Sequence, residues 1–500
     1  MKNTTLETNK TKIKIVLWVF IAAYILYFSY FTILRFQTLY ASYFDLGIMH
    51  QTVFNTYRAL VEHEPSRILE LTNPFGQEQI KRMAIHNDIL LALLAPFYFI
   101  SASPITLLII QSVVLGLGAL AIFKISQVVF EKLKQKDILS LIFTFCYLLY
   151  PPMERANMFE FHAVTLATTL LLFMFYLWLR KKYGWSFLFL VLSLISKEQV
   201  GLTAAFFGIY ALYSASKVKS KKNYSDLAFP IAVIVVSIGW FLLSLLFIIP
   251  YFRGGNHFAL GYYGDFGDTP IKVIIGILAK PYSISKYIFR TGTLNYFIYL
   301  LGPLGFLSLL SPIKLLIALP ELAINLLSNN SSLRSIVFHY TSVIQPFIFI
   351  SGIYGAEKAV VLVRNNKLVR FLSIYILFFS LIFAYLKGPL PYAKEQEIHP
   401  FKYPQKEAKD AAYWAEALKN ENLKISTTGQ LAPFFTSRRY FYTFSSFYYL
   451  ADYVVIRPNE VYNYPEKETL KPVYEELRSD QRFELIFKKD DFEVYKKNTI

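Results

Sequence analysis

The stretch IVLWVFIAAYILYFSYFTIL, residues 15–34, carries no charge and sets the frame for the rest of the chain. A helix needs about 20 apolar residues to cross a bilayer core of about 30 Å, and this run has that length. It is too long for the apolar region of a signal peptide, and no small-residue cleavage site follows it. We therefore expect it to remain in the protein as a membrane span.

The composition extends this interpretation to the whole chain. Of the 500 residues, 55% are hydrophobic and 18% aromatic, and the mean hydropathy of +0.39 exceeds what a soluble surface tolerates. We predict a polytopic α-helical membrane protein with about eleven spans. The apolar runs lie at 15–34, 104–130, 138–152, 163–179, 184–196, 200–214, 227–250, 293–311, 314–327, 340–356 and 368–387.

The distribution of charge predicts the orientation of these spans. The chain has a formal net charge of +17. With the N-terminus in the cytoplasm, the inner segments hold 19 Lys and Arg residues against 4 Asp and Glu residues, including RKK at 180–182 and KVKSKK at 217–222. This is the positive-inside pattern. Because the basic residues are scattered over short turns, nucleic acid is not an expected partner.

The same orientation places every histidine on the outer side of the membrane. These residues are His50, His63, His86, His162, His257, His339 and His399. Several acidic residues near span ends fall on that side as well. Any chemistry that the protein performs is therefore expected to face outward.

Asp45 follows the first span, within YFDLGIMHQTVFN at residues 43–55. A carboxylate buried at the centre of a bilayer costs about 2.5–3.5 kcal/mol on insertion scales, so ionisable groups near the membrane usually have a use. Two interpretations are open: Asp45 caps a helix, or it takes part in catalysis. The residues from Tyr43 onward also predict an amphipathic helix that lies along the membrane interface.

Two further blocks place ionisable residues beside apolar runs. His86 and Asp88 precede the apolar part of AIHNDILLALLAPFYFI, residues 84–100, either as a metal or phosphate site near Asp45 or as a helix-capping pair. Lys197 and Glu198 lie in SKEQVG, residues 196–201, at the membrane surface. A lysine there suits a lipid phosphate as a point charge, and Glu198 can neutralise it or position a substrate.

The segment YPPMERANMFEFHAV, residues 150–164, contains Glu154, Arg155, Glu160 and His162 between two spans. These side chains form either a self-compensating surface network or a substrate-binding group, in which Arg155 binds a lipid phosphate through its bidentate fork. The candidate residues do not have the ligand spacing of a zinc site. A divalent cation such as Mg²⁺ or Mn²⁺, held by carboxylates, phosphate oxygens and water, is compatible with them.

From Gly388 the composition becomes that of a soluble domain. A proline-rich linker is followed by a helix and by strand-like runs in LKISTT, ADYVVIRP and FELIFKKDDFEVYKK, the last with a turn at Asp490 and Asp491. We expect residues 388–500 to form an extracytoplasmic α/β domain. Residues 1–387 then form the transmembrane domain, with a first outer loop at about 35–103.

Five blocks resemble, in order, those of a widespread prokaryotic family of predicted membrane proteins classified as a domain of unknown function. The blocks are YFDLGIMHQTVFN, HNDILLALLAPFYFI, ERANMFEFHAVTLA, SKEQVGL and SPIKLLIALPELAINLLS, and the resemblance covers about residues 15–360. That family is in turn similar in architecture to the GT-C glycosyltransferases. Those enzymes have many membrane helices, an acidic residue just after the first span and often a soluble outer domain at the C-terminus.

The resemblance implies a glycosyltransferase of the plasma membrane. Such an enzyme takes a sugar from a polyprenyl-phosphate carrier and transfers it to a lipid, glycan or protein acceptor on the outer face, so its partners are a lipid-linked sugar and membrane lipids. Asp45 corresponds to the first-loop acid and would act as general base. Arg155 and Lys197, or a metal ion near His86 and Asp88, would stabilise the charge that develops on the phosphate.

Two other classes of protein remain open. A transporter or lipid flippase would use the charged residues to line a path, but these residues cluster on one side and no matched pair of broken helices marks two repeats. A non-catalytic envelope assembly factor would use the outer domain to hold its partners. Uptake into vesicles and turnover of a labelled lipid-linked sugar distinguish the three classes.

Overall fold

The computed structural model describes residues 2–217, 224–363, 366–395, 405–463 and 467–498, and most of them are helical. The helices before the first gap are α1 (Lys2–Gln37), α2 (Ile48–Glu62), α3 (Leu90–Leu94), α4 (Pro104–Val129), α5 (Lys136–Leu148), α6 (Pro151–Phe159), α7 (Ala163–Leu179), α8 (Tyr183–Leu194) and α9 (Val200–Ser216). Those that follow in the bundle are α10 (Tyr224–Leu243), α11 (Ile249–Arg253), α12 (Pro270–Ala279), α13 (Pro281–Ile288), α14 (Thr293–Leu301), α15 (Pro312–Leu315), α16 (Leu319–Leu327), α17 (Gln345–Val363) and α18 (Asn366–Lys387). His399 and all but the first residue of KVKSKK lie outside the described residues.

Four of the described helices are long and apolar enough to cross a bilayer. They are Thr11–Gln37, Pro104–Val129, Tyr224–Arg253 and Val369–Lys387. Other predicted spans coincide with shorter apolar helices, such as α7, α8 and α9, and the predicted runs at 293–311 and 314–327 are interrupted by 3₁₀ turns. The membrane-protein class is thus supported, while the number of eleven spans remains a prediction.

The contact between α9 and α10 illustrates how the apolar helices pack. A Cβ atom added to Gly201 would lie 2.6 Å from the carbonyl oxygen of Ser237, and one added to Gly208 would lie 3.1 Å from that of Pro230. The two backbones approach this closely because neither glycine has a side chain, as is common between membrane helices. Substituting a larger residue at Gly201 would force the helices apart.

The first loop, residues 38–103, forms a folded layer at the end of the bundle where α1 stops, which we call the site end. A π-helical turn at Tyr43–Gly47 leads into α2, and β1 (Glu70–Thr72) pairs antiparallel with β2 (Gln79–Lys81). The N-terminal half of α2 is buried within the protein. The predicted helix therefore exists, but its interfacial position is wrong, because its polar side chains bond to other parts of the chain.

The C-terminal part forms a five-stranded mixed sheet in the order β4–β3–β5–β7–β6. Its strands are β3 (Ile425–Thr427), β4 (Phe441–Thr443), β5 (Tyr453–Ile456), β6 (Phe483–Lys489) and β7 (Phe492–Lys497), and its helices are α19 (Ala408–Ala417), α20 (Ala432–Phe435), α21 (Pro458–Asn463) and α22 (Lys467–Ser479). The parallel pairs are β3–β4 and β3–β5, and the antiparallel pairs are β5–β7 and β6–β7. The predicted turn joins β6 to β7, with Asp490 in the left-handed region at φ 47°.

The sheet packs directly on the first loop. Tyr43 and Ile48 share an apolar cluster with Phe435 and Phe441. The backbone N–H of Tyr43 donates to the carbonyl oxygen of Gly429 at 3.0 Å. The C-terminal part thus supports the turn that follows α1, and the domain boundary at residue 388 remains a prediction.

Candidate functional site

A cavity of about 1010 Å³ lies at the site end of the bundle. Its walls come from the turn after α1, the loop before α3, the α8–α9 turn, the loop after α11, and from α12 and α16. Six of the nine predicted site residues line it: Asp45, His86, Asp88, His162, Lys197 and Glu198. The fold therefore brings together side chains that are far apart in the sequence.

Asp45 lies in the π-helical turn with its side chain 26% exposed. Its Oδ1 atom accepts a hydrogen bond from His162 Nε2 at 2.8 Å. The N-cap positions of this turn and of α2 are Ser42 and Gly47, and neither makes a side-chain cap bond. The helix-cap interpretation of Asp45 is therefore wrong, and its carboxylate faces the cavity instead.

Glu160 holds this turn from behind the cavity wall. Its two carboxylate oxygens accept the backbone N–H groups of Ser42 at 2.9 Å and Leu46 at 2.7 Å. Burial raises the pKa of Glu160, and the nearby Asp45 carboxylate adds to the rise. Glu160 is thus placed to position Asp45 and does not reach the cavity as a substrate ligand.

His162 is fixed from two directions. Its backbone N–H donates to Gln111 Oε1 at 3.0 Å, and its ring stacks on that of His339 with 3.7 Å between centroids. Burial lowers the pKa of His339 well below its usual range, with a further contribution from His162, so His339 is neutral near pH 7. Gln111 and His339 thereby orient the imidazole that binds Asp45.

Glu198 accepts hydrogen bonds from three donors. Its Oε1 atom lies 2.9 Å from His86 Nδ1 and 3.1 Å from His257 Nε2, and its Oε2 atom accepts the Asn87 backbone N–H at 3.0 Å. Burial alone would raise the pKa of Glu198, but the contacts with His86 and His257 hold it well below its usual range. Burial and the charge of Lys197 lower the pKa of His86 to about 3. The cluster therefore holds a carboxylate between two imidazoles, and the imidazole of His86 is neutral near pH 7.

Asp88 is bound by Arg82 and not by His86. The Arg82 guanidinium donates to both Asp88 oxygens at 2.8–3.0 Å, and both side chains are buried. Burial raises the pKa of Asp88, although Arg82 opposes the rise. The predicted site of His86 with Asp88 is therefore corrected, because the arginine occupies the carboxylate that a metal or substrate would need.

Lys197 supplies a positive charge at the polar end of the cavity. It is 8% exposed, and its ammonium lies 5.9 Å from the centre of the Tyr340 ring. In the described part of the chain no carboxylate lies within ion-pair distance of it. A buried lysine side chain without a carboxylate partner among the described residues is suited to bind an anion.

Arg155 and Glu154 lie outside the cavity. Arg155 donates to the carbonyl oxygens of Lys387, at the end of α18, and of Glu395 at 2.9 Å. Glu154 is fully buried in α6. Neither side chain can bind a substrate in the cavity, so their predicted binding roles are not supported. Arg155 instead joins α6 to the linker after the last helix.

An oxygen-coordinated Mg²⁺ or Mn²⁺ fits this site poorly. Such ions prefer several carboxylate or carbonyl oxygens. Both oxygens of Glu160 bind backbone N–H groups, and those of Asp88 bind Arg82. Of Asp45, Asp88 and Glu160, only Asp45 has a carboxylate oxygen without a hydrogen-bond partner among the described residues. The set His86, Glu198 and His257 has ligand atoms within 4.8 Å of one another, but two of its three ligands are imidazole nitrogens.

Arg82, Arg253, His257 and His339 line the cavity without having been predicted as site residues. The two histidines were identified only as members of the outer group. Arg253 ends α11 and donates to the Ala84 carbonyl oxygen at 3.2 Å. The one signal in the sequence was the assignment of all histidines to a single side.

Other residues of the cavity lining are apolar. They include Phe241 of α10, Leu245 of the turn between α10 and α11, Ile274 of α12, and Ile324 and Leu327 of α16. On α12, Ile271, Ile275 and Leu278 are exposed on the outer surface of the bundle. The cavity lining thus combines ionisable and apolar side chains, as an amphiphilic ligand requires.

Together, the helical bundle and its polar cavity define a polytopic membrane protein with a candidate site at one end. The chain belongs to the family of predicted membrane proteins DUF2079, whose model matches residues 35–494. The resemblance found in the sequence blocks is thus confirmed at the level of the family. No curated protein sequence matches the chain.

Two solved structures are distantly similar to the chain. The Archaeoglobus fulgidus oligosaccharyltransferase in the apo form matches with a TM-score of 0.44 and 11% identity, covering 91% of this chain and 72% of that chain. The structure of that protein in complex with Zn and sulfate gives a TM-score of 0.41 and 12% identity, with 87% and 68% covered. No residue role is transferred from either structure.

Proposed function

We propose that this protein is a membrane glycosyltransferase, which moves a sugar from a lipid-phosphate carrier to an acceptor hydroxyl. The observation that carries the proposal is the position of Asp45, a partly exposed carboxylate oriented by His162. The same cavity contains the ammonium of Lys197, which has no carboxylate partner among the described residues. A base, an anion-binding group and an apolar wall are the three elements that this reaction needs.

Asp45 has the geometry of a general base. His162 binds Oδ1, and among the described residues Oδ2 has no hydrogen-bond partner. The acceptor oxygen attacks the anomeric carbon as the bond from that carbon to the lipid phosphate oxygen breaks. The acceptor proton passes to Asp45, and the electron pair of the broken bond stays on the phosphate. A base within hydrogen-bond reach of the attacking hydroxyl commonly contributes 10²- to 10⁴-fold to such a rate, as an order of magnitude.

Lys197 is the group that would stabilise the phosphate as its charge increases. A positive charge that is already in place when the charge develops needs no reorganisation, and burial strengthens its effect. Arg253, at the same end of the cavity, would add a second cation. The apolar wall next to α12 and α16 would bind the hydrocarbon chain of the carrier.

The proposal places the site on the extracytoplasmic face of the plasma membrane. Its support is the basic inner segments identified in the sequence. A reporter fused after Lys222 is expected to be cytoplasmic, and one fused near Pro400 to be external. If both reporters lie on one side, this assignment of the face is wrong, although the chemistry of the cavity is unaffected.

The test is a transfer assay with purified protein in liposomes. A labelled lipid-linked sugar is supplied together with candidate lipid, glycan and peptide acceptors, and loss of the label from the carrier is measured. Lys197→Met is expected to raise KM for the carrier at least tenfold, whereas Lys197→Arg, which keeps the charge, is expected to retain most of the binding.

The same liposomes distinguish the rival functions. Movement of an intact lipid or solute across the bilayer without cleavage of the sugar would identify a flippase or transporter. Neither cleavage nor movement with any carrier tested would favour an envelope assembly factor. Either result would contradict the proposed transferase.

A further inference from the structure

We propose that His86, Glu198 and His257 bind one zinc-type transition-metal ion. These residues come from three separate parts of the chain: the loop before α3, the α8–α9 turn and the loop after α11. Their ligand atoms, His86 Nδ1, His257 Nε2 and one Glu198 carboxylate oxygen, lie within 4.8 Å of one another at the cavity wall. No other metal group of this kind is found in the described part of the chain.

The distances are close to those of a tetrahedral ion. Zn–N and Zn–O bonds of about 2.0–2.1 Å at tetrahedral angles separate neighbouring ligand atoms by about 3.3 Å. The Glu198 oxygen lies 2.9 Å from His86 Nδ1 and 3.1 Å from His257 Nε2. The Glu198 oxygen therefore needs to move only a few tenths of an ångström from each imidazole nitrogen to admit an ion, and all three ligand atoms already lie within 4.8 Å of one another.

The ligand types select the class of metal. Two imidazoles with one carboxylate suit zinc and similar transition ions, whereas Mg²⁺ and Ca²⁺ prefer oxygen ligands throughout. Sites with three protein ligands leave a fourth position open for water or a substrate. Because the cluster lines the cavity, that fourth position would face the space where a substrate binds.

The protons of the cluster can be assigned from its hydrogen bonds. The Ala259 backbone N–H donates to His257 Nδ1 at 3.0 Å, so Nδ1 carries no proton and Nε2–H points at Glu198. Because a carboxylate only accepts, His86 Nδ1 also carries its proton. An ion that replaces these two protons shifts each imidazole to its other tautomer. Because His257 Nδ1 then carries the proton, it no longer accepts the hydrogen bond from the Ala259 N–H, and metal binding costs this bond.

The surroundings fix the carboxylate for this role. The Asn87 backbone N–H occupies Glu198 Oε2 at 3.0 Å, which leaves Oε1 as the ligand atom. The Asn87 side chain in turn donates to Ser244 Oγ at 2.7 Å. Such outer contacts hold metal ligands in place, and their loss typically weakens binding by about 10- to 100-fold.

A role for the ion in binding a phosphate oxygen would rest on the proposed transferase function, whereas the metal site itself does not. Lys197 lines the same cavity as the three ligands. An anionic oxygen there would contact both the ion and the ammonium. The metal site is therefore tested by binding and not by activity alone.

The experiment measures metal binding to the purified full-length protein in detergent after chelation and removal of the chelator. Co²⁺ serves as the probe, because its visible absorption reports a tetrahedral nitrogen and oxygen environment, and Zn²⁺ serves as competitor. The variants are Glu198→Gln, His257→Gln and His86→Gln. His63→Asn is the matched control, since His63 is exposed, lies at φ 54° and is remote from the cavity, and Asn tolerates that backbone.

We expect the wild type and His63→Asn to bind one ion per chain with a tetrahedral spectrum, and each cluster variant to bind at least tenfold more weakly. The absence of this spectrum in the wild type, or its persistence in Glu198→Gln and His257→Gln, would overturn the site. If a cluster variant is misfolded, His257→Asn replaces it and is likewise expected to bind the ion at least tenfold more weakly. The melting temperature of the wild type is then also measured with and without Zn²⁺. A higher melting temperature with Zn²⁺ supports the site, and an unchanged melting temperature contradicts it.

The transfer assay separates this inference from the proposed function. Tetrahedral binding without any sugar transfer would retain the site and remove the transferase. Sugar transfer by protein that binds no metal ion would remove the metal site and retain the transferase.

Discussion

Two carboxylates at the same cavity differ in how many partners they have. Asp45 is 26% exposed and binds one imidazole through one oxygen, whereas Glu198 is 5% exposed and accepts hydrogen bonds from three donors. A carboxylate with an unoccupied oxygen can accept a proton from a substrate. One with both oxygens occupied is suited to hold other groups in place or to bind a metal that replaces their protons. Exposure and remaining bonding capacity thus separate the two roles better than residue type does.

The largest expected effect on stability is that of Glu198→Ala. This change leaves His86, His257 and the Asn87 N–H without their acceptor in a buried site, and removing one partner of such a cluster costs about 3–5 kcal/mol. Asp45→Ala is expected to cost at most about 1 kcal/mol, because the Asp45 side chain is partly exposed and has a single partner, His162. Thermal unfolding in detergent measures both. Equal losses of stability in Glu198→Ala and Asp45→Ala would contradict the proposed difference between the two carboxylates.

Acid is expected to act on the buried groups of the first loop, with His50 as the clearest case. His50 bonds to the Tyr98 hydroxyl at 2.7 Å and the Ser437 hydroxyl at 2.8 Å, and burial lowers its pKa to about 3. Below about pH 6.5 the unfolded chain takes up a proton at His50 and the folded chain does not. The free energy of unfolding is therefore highest above pH 6.5 and decreases as the pH falls toward 3.

From pH 6.5 to 4.5 this residue alone is expected to remove up to about 2.7 kcal/mol. His50→Gln should reduce the loss on acidification, as measured by melting temperatures at the two pH values. His63→Asn, at an exposed position, should leave it unchanged. If the melting temperature falls equally on acidification in His50→Gln and in the wild type, His50 does not control the loss of stability.

The smallest expected effect is that of Glu160→Gln. Glutamine keeps one acceptor oxygen for the two N–H groups of Ser42 and Leu46, so one oriented bond is lost and the turn that carries Asp45 is less well fixed. We expect kcat to fall about tenfold, equivalent to about 1.4 kcal/mol, with KM unchanged. A change in KM alone would instead place Glu160 among the substrate-binding groups.

Residues close in sequence to a span end were the most predictable part of the site. Asp45, Lys197 and Glu198 each stand beside an apolar run, and a charged side chain at that depth indicates a use. The strands β3, β5, β6 and β7 of the C-terminal sheet were predictable for a similar local reason, since short β-branched and aromatic runs lie between turn residues, whereas β4 was not predicted.

The pairing of these side chains was not predictable. Arg82 rather than His86 binds Asp88, because the loop before α3 folds back on itself. Arg155 points to the carbonyl oxygen of Lys387, far along the chain. His257, in the loop after α11, contacts Glu198 in the α8–α9 turn. Local sequence patterns indicate how deep a residue lies in the membrane and whether it belongs to a helix or a strand. They do not identify its ion-pair partner, because that choice depends on how distant segments pack.

The central claim is that Asp45 accepts the proton of the acceptor, and Asp45→Asn tests it most directly. Asparagine keeps the shape and the bonding position but cannot take the proton. The measurement is the rate of sugar transfer from the lipid-linked donor, together with the melting temperature, for the wild type, Asp45→Asn and His63→Asn. The account predicts a loss of about 10²- to 10⁴-fold in rate for Asp45→Asn at nearly unchanged melting temperature, and no loss for His63→Asn. An Asp45→Asn protein that transfers sugar at the wild-type rate would contradict it.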